Sequence, residues 1–279
     1  MADPPTWHLS GFGDEIDPDP RVQIAVLQAL GARHVEVRSA WGTNVVDLTD
    51  AQVSDLRTLL ADTGQRVSAV ASPIGKVDVA DARAELDRLR RVAEVAHALD
   101  TRYVRIFSFY RPAGVTAAAV RDGVVDALRE LTAIAADADL VLLHENEKGI
   151  YGDTPARVLD LARTLASPAF RLAWDPANYV QVGVRPHSAG WAELAPYVDY
   201  LQVKDADLTT GEVRPAGEGD GEVAETVAAL AASGYAGFAS LEPHLAVAGR
   251  MGGYSGPAAF GTAARAFARI TDRAGVSLA

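Results

Sequence analysis

Eight short β-rich runs, separated by longer amphipathic stretches, predict an α/β protein: a (β/α)8 TIM barrel forming a single domain over residues 1–279. Three observations carry the prediction. The alternation of the two patterns runs from end to end. Eight βα units in a chain of this size match the length of about 250 residues at which a parallel sheet closes on itself. No linker, low-complexity segment or charge block marks a second domain. An open doubly wound sheet would carry a glycine-rich phosphate turn after its first strand. Here that turn reads Gly11-Phe12-Gly13-Asp14-Glu15-Ile16, which lacks the third glycine and sets two acids where a phosphate would sit.

The strands are expected at Trp7–Gly13, Ala32–Ser39, Arg66–Ser72, Arg102–Phe107, Leu140–Glu145, Phe170–Trp174, Tyr200–Val203 and Gly237–Leu241. Between the first two, Pro20–Leu30 places Ile24, Leu27 and Leu30 on one stripe and closes with Gly31. Thr49–Leu60 opens on Thr-Asp and ends near Gly64. Asp81–Leu99 and Val115–Ala136 repeat the helical spacing. Thr154–Leu165 starts with a cap residue followed by proline in the first turn. Glu222–Ala232 supplies the helix before the last strand. The glycine-rich stretch Gly211–Gly221 falls between strand seven and that helix, so it is a loop.

Composition narrows the function classes. The chain is 49% apolar and 23% charged, with a formal net charge of -11, which argues for a substantial core. An acidic protein without a basic block is a poor partner for nucleic acid. No apolar run approaches the roughly 18 residues that span a bilayer, so no membrane partner is expected. Met1–Thr6 lacks the basic-then-apolar order of a signal peptide, and a cytoplasmic location is the expectation. There is no cysteine, which removes disulfides, thiolate metal sites and a cysteine nucleophile. A small-molecule substrate is the expected partner, and a homodimer is left open.

In a barrel the carboxyl ends of all strands share one rim, where the chemistry sits. Read in order, that rim offers Glu36 and Arg38, Ser72, Arg105, Glu145, Asp175, Gln202 and Lys204, and Glu242. Glu145, Asp175 and Glu242 each follow an apolar strand directly. Three converging carboxylates repel one another unless protonated or bridged by a cation. A divalent ion resolves the conflict, with Gln202 adding a neutral carbonyl oxygen. Such an all-oxygen set favours Mn²⁺ or Mg²⁺, with Co²⁺ or Zn²⁺ also accommodated. Taken alone, an acid at a strand end is an ordinary helix cap, and Asp175 before Pro176 is the plainest case.

Four segments carry a family resemblance: Asp175-Pro-Ala-Asn178, Gln202-Val-Lys-Asp205, Gly217-Glu-Gly219, and Gly234-Tyr-Ala-Gly-Phe-Ala-Ser-Leu-Glu-Pro-His244. Together with Gly11-Phe-Gly-Asp-Glu-Ile16 and Ser72-Pro-Ile-Gly-Lys76, the chain resembles the xylose isomerase-like TIM-barrel superfamily, in its sugar phosphate isomerase/epimerase branch. The resemblance implies one catalytic divalent cation on strands five to eight, held by Glu145, Asp175, Gln202 and Glu242. Many members have histidine at the third position. Glutamine there is similar to the hydroxypyruvate isomerase and 3-dehydroshikimate dehydratase members. Many epimerases also have histidine where this chain has Asn178.

The chemistry expected of such a site is proton abstraction beside a metal-bound carbonyl, through an enediolate, with Glu145 and Glu242 as the catalytic acid–base pair. That describes a sugar or sugar-derivative isomerase or epimerase. A hydro-lyase of the inosose or dehydroshikimate dehydratase kind is the alternative on the same scaffold, and product mass separates the two. Abasic-site endonuclease chemistry would need more strand-end histidines and a basic surface. A purely sugar-binding role would leave the carboxylates unexplained.

Lysine is scarce: of 26 basic residues only Lys76, Lys148 and Lys204 are lysines, and all three fall in rim segments. They are therefore expected to face the substrate. Arg105 offers bidentate binding of a carboxylate or phosphate. Asn178 and His244 complete the expected substrate-binding group. His144 should point away from Glu145, into the core. Phe12, Trp41, Phe107 and Tyr151 are candidate pocket walls.

Overall fold

The computed structural model describes residues 5–246 and 253–279. Eight parallel strands form the barrel: β1 (Thr6–Gly11), β2 (His34–Val37), β3 (Arg66–Ala71), β4 (Tyr103–Ile106), β5 (Val141–Glu145), β6 (Phe170–Trp174), β7 (Val198–Val203) and β8 (Phe238–Leu241). Each pairs with its sequence neighbour from β2 round to β8, and β8 pairs with β1. Among the described residues the seam between β1 and β2 closes through one parallel bridge, Phe12 to Glu36, while across the barrel interior Ser10 Oγ on β1 reaches Ser68 Oγ on β3 at 2.7 Å. At the lower end of that seam the chain's own terminus, Ser277–Leu278, pairs with Thr6 and Trp7.

Helices cover the outside: α1 (Pro20–Ala29), α2 (Asp50–Thr63), α3 (Ala82–Ala98), α4 (Ala117–Asp137), α5 (Pro155–Leu165), α6 (Pro176–Val180), α7 (Val223–Ala232) and α8 (Gly256–Arg273). Local chemistry sets their ends. Asp19 accepts the Arg21 amide at 2.9 Å and precedes Pro20. Thr49 and Gln52 form a reciprocal capping box, and Gly64 stops α2 at φ 68°. Thr154 precedes Pro155 as expected, but its hydroxyl makes no capping bond, so proline alone marks that start. α4 buries Val120, Val124, Leu128, Leu131 and Ala135 at helical spacing. Each Val or Leu there contributes about 1.5–3 kcal/mol, and Leu128→Ala would cost about 2–5 kcal/mol.

The second expected strand, Ala32–Ser39, is interrupted. β2 stops at Val37, and Ser39–Ala40 turns back antiparallel on Thr43–Asn44. Trp41 and Gly42 both have positive φ, 52° and 70°, which is the geometry a two-residue hairpin turn needs. α6, residues 187–197, Ser277–Leu278 and the short antiparallel ladder of Asp205–Ala206 on Val213–Arg214, which enters the expected loop, are regular elements outside the expected set.

Inside the barrel Ala69, Val141, Leu143, Ala173 and Tyr200 form a small apolar core of their own, with Tyr103 and Phe238 packed against it. Above that layer the interior turns polar. Strand alternation therefore sends Gln202 and Lys204 inward on the face of Tyr200, as it sends Glu145 on the face of Leu143.

Candidate active site

Glu145 is the last residue of β5, while Asp175 and Glu242 directly follow β6 and β8. All three are buried, and one carboxylate oxygen from each lies within 4.8 Å of the others. Asp175 serves two elements at once. Its Oδ1 accepts the Asn178 amide at 3.0 Å and caps α6, while its Oδ2 faces the barrel axis. Asp175 thus caps a helix with one oxygen and accepts the Lys204 ammonium with the other.

Cations from this chain answer the carboxylates. Arg105 Nη1 donates to Glu145 Oε2 at 2.7 Å, and Arg38 Nη1 donates to Glu242 Oε1 at 2.9 Å. Lys204 Nζ donates to Asp175 Oδ2 at 3.0 Å, to Asn178 Oδ1 at 3.0 Å and to Glu242 Oε2 at 3.2 Å. Lys204 does not pair with Asp205. That carboxylate instead accepts the amides of Ala206, Gly217, Gly219 and Gly221 at 2.8–3.1 Å. A Cβ at Gly219 would come within 2.5 Å of Asp205 Oδ1, so the loop can wrap the carboxylate only as glycine.

Proton affinities follow from this arrangement. Burial pushes Asp175 up to about 7; Lys204 opposes the rise, while Glu145 and Glu242 add to it. Burial acts on Glu242 in the same direction, but Lys204, His244 and Arg38 outweigh it and hold that carboxyl well below its ordinary range. Burial and Lys204 depress His244, yet Glu242 and Glu15 lift it to about 8. Lys204 loses solvation, and the facing acids more than restore its charge.

These groups open on a cavity of about 80 Å3 bounded by Arg38, Lys76, Arg105, Glu147, Lys204 and His244, among others. Lys76 arrives on the loop after β3. Gly75, at φ 84°, sits so close to the Phe107 carbonyl that a Cβ would come within 2.2 Å of it. That approach sets Lys76 Nζ 4.2 Å above the Phe107 ring and 3.1 Å from Glu147. Phe107 and Phe12 also underlie Arg105.

The structure separates the expected substrate-binding residues. Lys76, Arg105, Lys204 and His244 line the cavity. Asn178 is buried behind it, with its amide donating to Glu145 and Asn146 and its oxygen accepting Lys204. Lys148 is exposed and bonds to Gln181, so it is not a cavity residue; its loop turns the side chain outward. Among the expected walls, Tyr151 turns to Asp160 on α5, 2.6 Å away. His144 faces the core as expected, stacked on Phe170, but both ring nitrogens are unpartnered among the described residues. Burial drives its pKa down to about 3 and keeps the ring neutral.

Three residues were not singled out by sequence. Asp14 holds Arg38 at 2.9 Å, Glu15 accepts the His244 amide at 2.9 Å, and Glu147 holds Lys76. The adjacent acids after β1 were the available signal for the first two.

The donor set suits a divalent ion with oxygen preference. Glu145, Asp175 and Glu242 already converge. Gln202 is fully buried, and neither its amide oxygen nor its nitrogen has a partner among the described residues. It stands in register with Ser240 on β8, one pleat repeat below Glu242. An unpaired buried amide is costly unless something binds it. A second group, Glu15, Glu242 and His244, also converges and shares Glu242.

Residues 24–271 match a family model described as xylose isomerase-like TIM barrel. A stretch of 148 residues is 34% identical to a 2-epi-5-epi-valiolone 7-phosphate 2-epimerase from an Actinoplanes species. That stretch is 52% of this chain and 52% of the relative, so the match spans about half the length of the curated relative. Among solved structures, a D-tagatose 3-epimerase-like protein superposes with a TM-score of 0.79 at 16% identity, covering 96% of this chain and 98% of that one. A xylose isomerase-like TIM barrel protein from Mycobacterium smegmatis, in complex with magnesium, gives 0.71 at 19% identity, covering 98% and 99%. At these identities the superpositions show a shared fold.

Proposed function

The chain belongs to the xylose isomerase-like TIM barrel family, and from that premise we propose that it is a divalent-metal-dependent isomerase or epimerase of an unphosphorylated sugar or sugar-derived hydroxy-carbonyl compound. The observation that carries the reading is the convergence of Glu145, Asp175 and Glu242, with the buried, unpartnered amide of Gln202 one pleat repeat below Glu242. Magnesium in the Mycobacterium smegmatis relative supports an ion of that type. Glu145, Asp175, Gln202 and Glu242 would hold it, and when bound it supplies Lewis-acid polarisation of a carbonyl and its neighbouring hydroxyl.

The protein's own groups do the rest. Glu145 and Glu242 reach the cavity from strands separated by β6 and β7. They can thus approach one substrate carbon from two sides, one taking the α-proton and the other returning a proton. Lys204, His244 and Arg38 keep Glu242 ionised through neutral pH, so it meets the substrate without a proton of its own, as an acceptor must. Arg105 and Asn178 bond both oxygens of Glu145 and fix its orientation. A carboxylate keeps further lone pairs for a substrate proton after two such bonds. Lys76, on its short loop, offers a cation to substrate oxygens at the mouth.

The absence of a phosphate from the proposed substrate rests on Asp205. Barrels of this type often bind phosphate on the loops after strands seven and eight. Here four amides around the strand-seven loop are engaged by the chain's own carboxylate. In this respect the reading departs from the phosphorylated substrate in the Actinoplanes relative's name.

The test is α-proton exchange in D2O with Mn²⁺ or Mg²⁺ across ketoses, inososes and small hydroxy-ketones. At least one unphosphorylated compound should exchange and be converted without change in the mass of its carbon and oxygen skeleton. Glu145→Gln and Glu242→Gln should each slow exchange by about 10²–10⁴-fold. Loss of water from the product would point to the hydro-lyase instead. Exchange confined to phosphorylated compounds would refute the assignment drawn from Asp205.

A further inference from the structure

We propose that Lys204 is an internal stand-in for the divalent ion: its ammonium bridges the carboxylate pair that the ion would take and must leave before the ion can enter. The inference rests on the metal reading given above. It starts from three distances. Lys204 Nζ lies 3.0 Å from Asp175 Oδ2, 3.2 Å from Glu242 Oε2 and 3.0 Å from Asn178 Oδ1. An ammonium has three donors, so all of them are engaged. The side chain is 4% exposed, and water has little share in holding it there.

A bound Mg²⁺ stands about 2.1 Å from its oxygen ligands. An ion shared by Asp175 and Glu242 therefore needs the space between the two oxygens that Lys204 now bridges. A singly and a doubly charged cation cannot occupy that space together in a buried site, where repulsion is little screened. The lysine has somewhere to go. It lines the same cavity as Glu147 and Lys76. Turned toward Glu147, the ammonium would face the substrate instead of the metal ligands.

This arrangement explains how three buried carboxylates stay assembled before an ion arrives. Without a cation Glu145, Asp175 and Glu242 would repel one another, and a collapsed or splayed site would have to be rebuilt on binding. Lys204 holds two of the three in place, while Arg38 and Arg105 hold Glu242 and Glu145 from the other side of the rim. Lysine suits the task better than arginine because a compact ammonium on a flexible stem can swing clear. The consequence is a weakened affinity for the metal, since the ion must displace a cation already seated.

The experiment compares the full-length wild type with Lys204→Met. Mn²⁺ affinity is measured by calorimetry and by the spectroscopic signal of bound Mn²⁺, and thermal unfolding is followed with and without the ion. The variant should bind Mn²⁺ at least about tenfold more tightly. Its melting temperature should also rise more on adding Mn²⁺, because the metal-free variant lacks the internal cation. Lys204→Arg retains the charge and should bind Mn²⁺ no more tightly than wild type. If Lys204→Met folds only with Mn²⁺ present, Lys204→Gln provides the same comparison. Equal or weaker binding by the neutral variants overturns the inference and leaves the metal reading standing. Failure of both wild type and variants to bind Mn²⁺, with Glu145→Gln making no difference, overturns both.

Discussion

At the mouth of the barrel Glu145, Asp175 and Glu242 each face a cation, whereas one pleat repeat below Arg38 the buried Glu36 has a hydroxyl for its partner. Tyr200 Oη lies 2.9 Å from Glu36 Oε2 and 2.9 Å from Ser68 Oγ, and Ser68 reaches on to Ser10. The other Glu36 oxygen is unpartnered among the described residues. Burial lifts Glu36 to about 7, against the opposing pull of Arg105 and its hydrogen bonds. The two layers belong to the same barrel, with the mouth cations Arg38 and Lys204 following the strands that carry Glu36 and Tyr200, and both layers are buried. Glu242 and Glu36 differ most sharply in what neutralises the acid: fixed cations at the one, a retained proton at the other. The cations around Glu242 keep that carboxylate ionised and available as a ligand or base, whereas at Asp175 burial and the two neighbouring acids outweigh Lys204. A retained proton gives a neutral network that supports packing and titrates near neutrality.

The contrast is tested most severely at Arg38, which joins Asp14 and Glu242 and donates to the Gly253 carbonyl. Arg38→Met leaves two buried carboxylates short of a partner and should cost about 3–5 kcal/mol in urea unfolding. A loss below about 1 kcal/mol would mean that the mouth tolerates an unpaired acid and that the ion lattice is not what holds it. Saturating Mn²⁺ should recover part of the loss, because a bound ion would take over the neutralisation of Glu242.

A smaller effect of distinctive sign is expected in the floor. Folded Glu36 keeps its proton up to about pH 7, while the unfolded chain gives it up near 4.5. Between those values the folded state binds more protons than the unfolded state, so its stability falls as pH rises. Glutamine cannot ionise. Relative to wild type, Glu36→Gln should therefore gain about 3 kcal/mol of stability between pH 5 and pH 8. A difference independent of pH would show that Glu36 is ionised in the folded protein, as Glu242 at the mouth is.

Which parts of this contrast were legible in the sequence follows from how local each signal is. Glu145, Asp175 and Glu242 announce themselves because each directly follows a buried strand, and parallel strands bring their ends to one rim. The inward direction of Gln202 and the outward direction of His144 follow from alternation along one strand. Partnerships were less legible. Nothing local to Arg38 says that Asp14 and Glu242, 24 and 204 residues away, will hold it. Lys148 shares a loop with Glu147, yet turns outward while Glu147 turns in. Asp205 was visible only as a neighbour of Lys204; its partners are the Ala206 amide and three glycine amides up to 16 residues downstream. The hairpin after β2 depends on two consecutive positive φ values, one of them at a tryptophan, which composition does not favour.

Asp205 sharpens the comparison from within the mouth, because it is an acid neutralised by neither a cation nor a retained proton but by four amide dipoles. Burial raises its pKa, and the amides of Gly221, Gly219, Ala206 and Gly217 oppose the rise. Asparagine keeps one acceptor oxygen but turns an NH2 toward donors. Asp205→Asn should cost about 2 kcal/mol, read by urea unfolding, and should loosen the loop to proteolysis. If inorganic phosphate at millimolar concentration restored the variant's stability, the loop would be shown to be an anion cradle that Asp205 fills.

The smallest expected effect lies at the lower end of the barrel, in a pair of rings with no acid between them. His34 packs on Phe238 with ring centres 5.0 Å apart and on the half-buried His8 at 5.3 Å. Burial, then Arg66 and His8, push the His34 pKa down to about 4. Its sign is opposite to that of His244 at the mouth, which Glu242 and Glu15 lift to about 8. Below pH 6.5 the unfolded chain protonates His34 while the folded barrel does not, so the unfolded state binds the extra proton and stability falls as pH drops toward 4. His34→Phe keeps the aromatic packing and removes the titration. Its acid loss of stability should be shallower than that of wild type by about 1 kcal/mol, a discounted figure because solvent screens charge at this open end. A steeper loss would place a proton on His34 in the folded protein and require a partner acid in the floor.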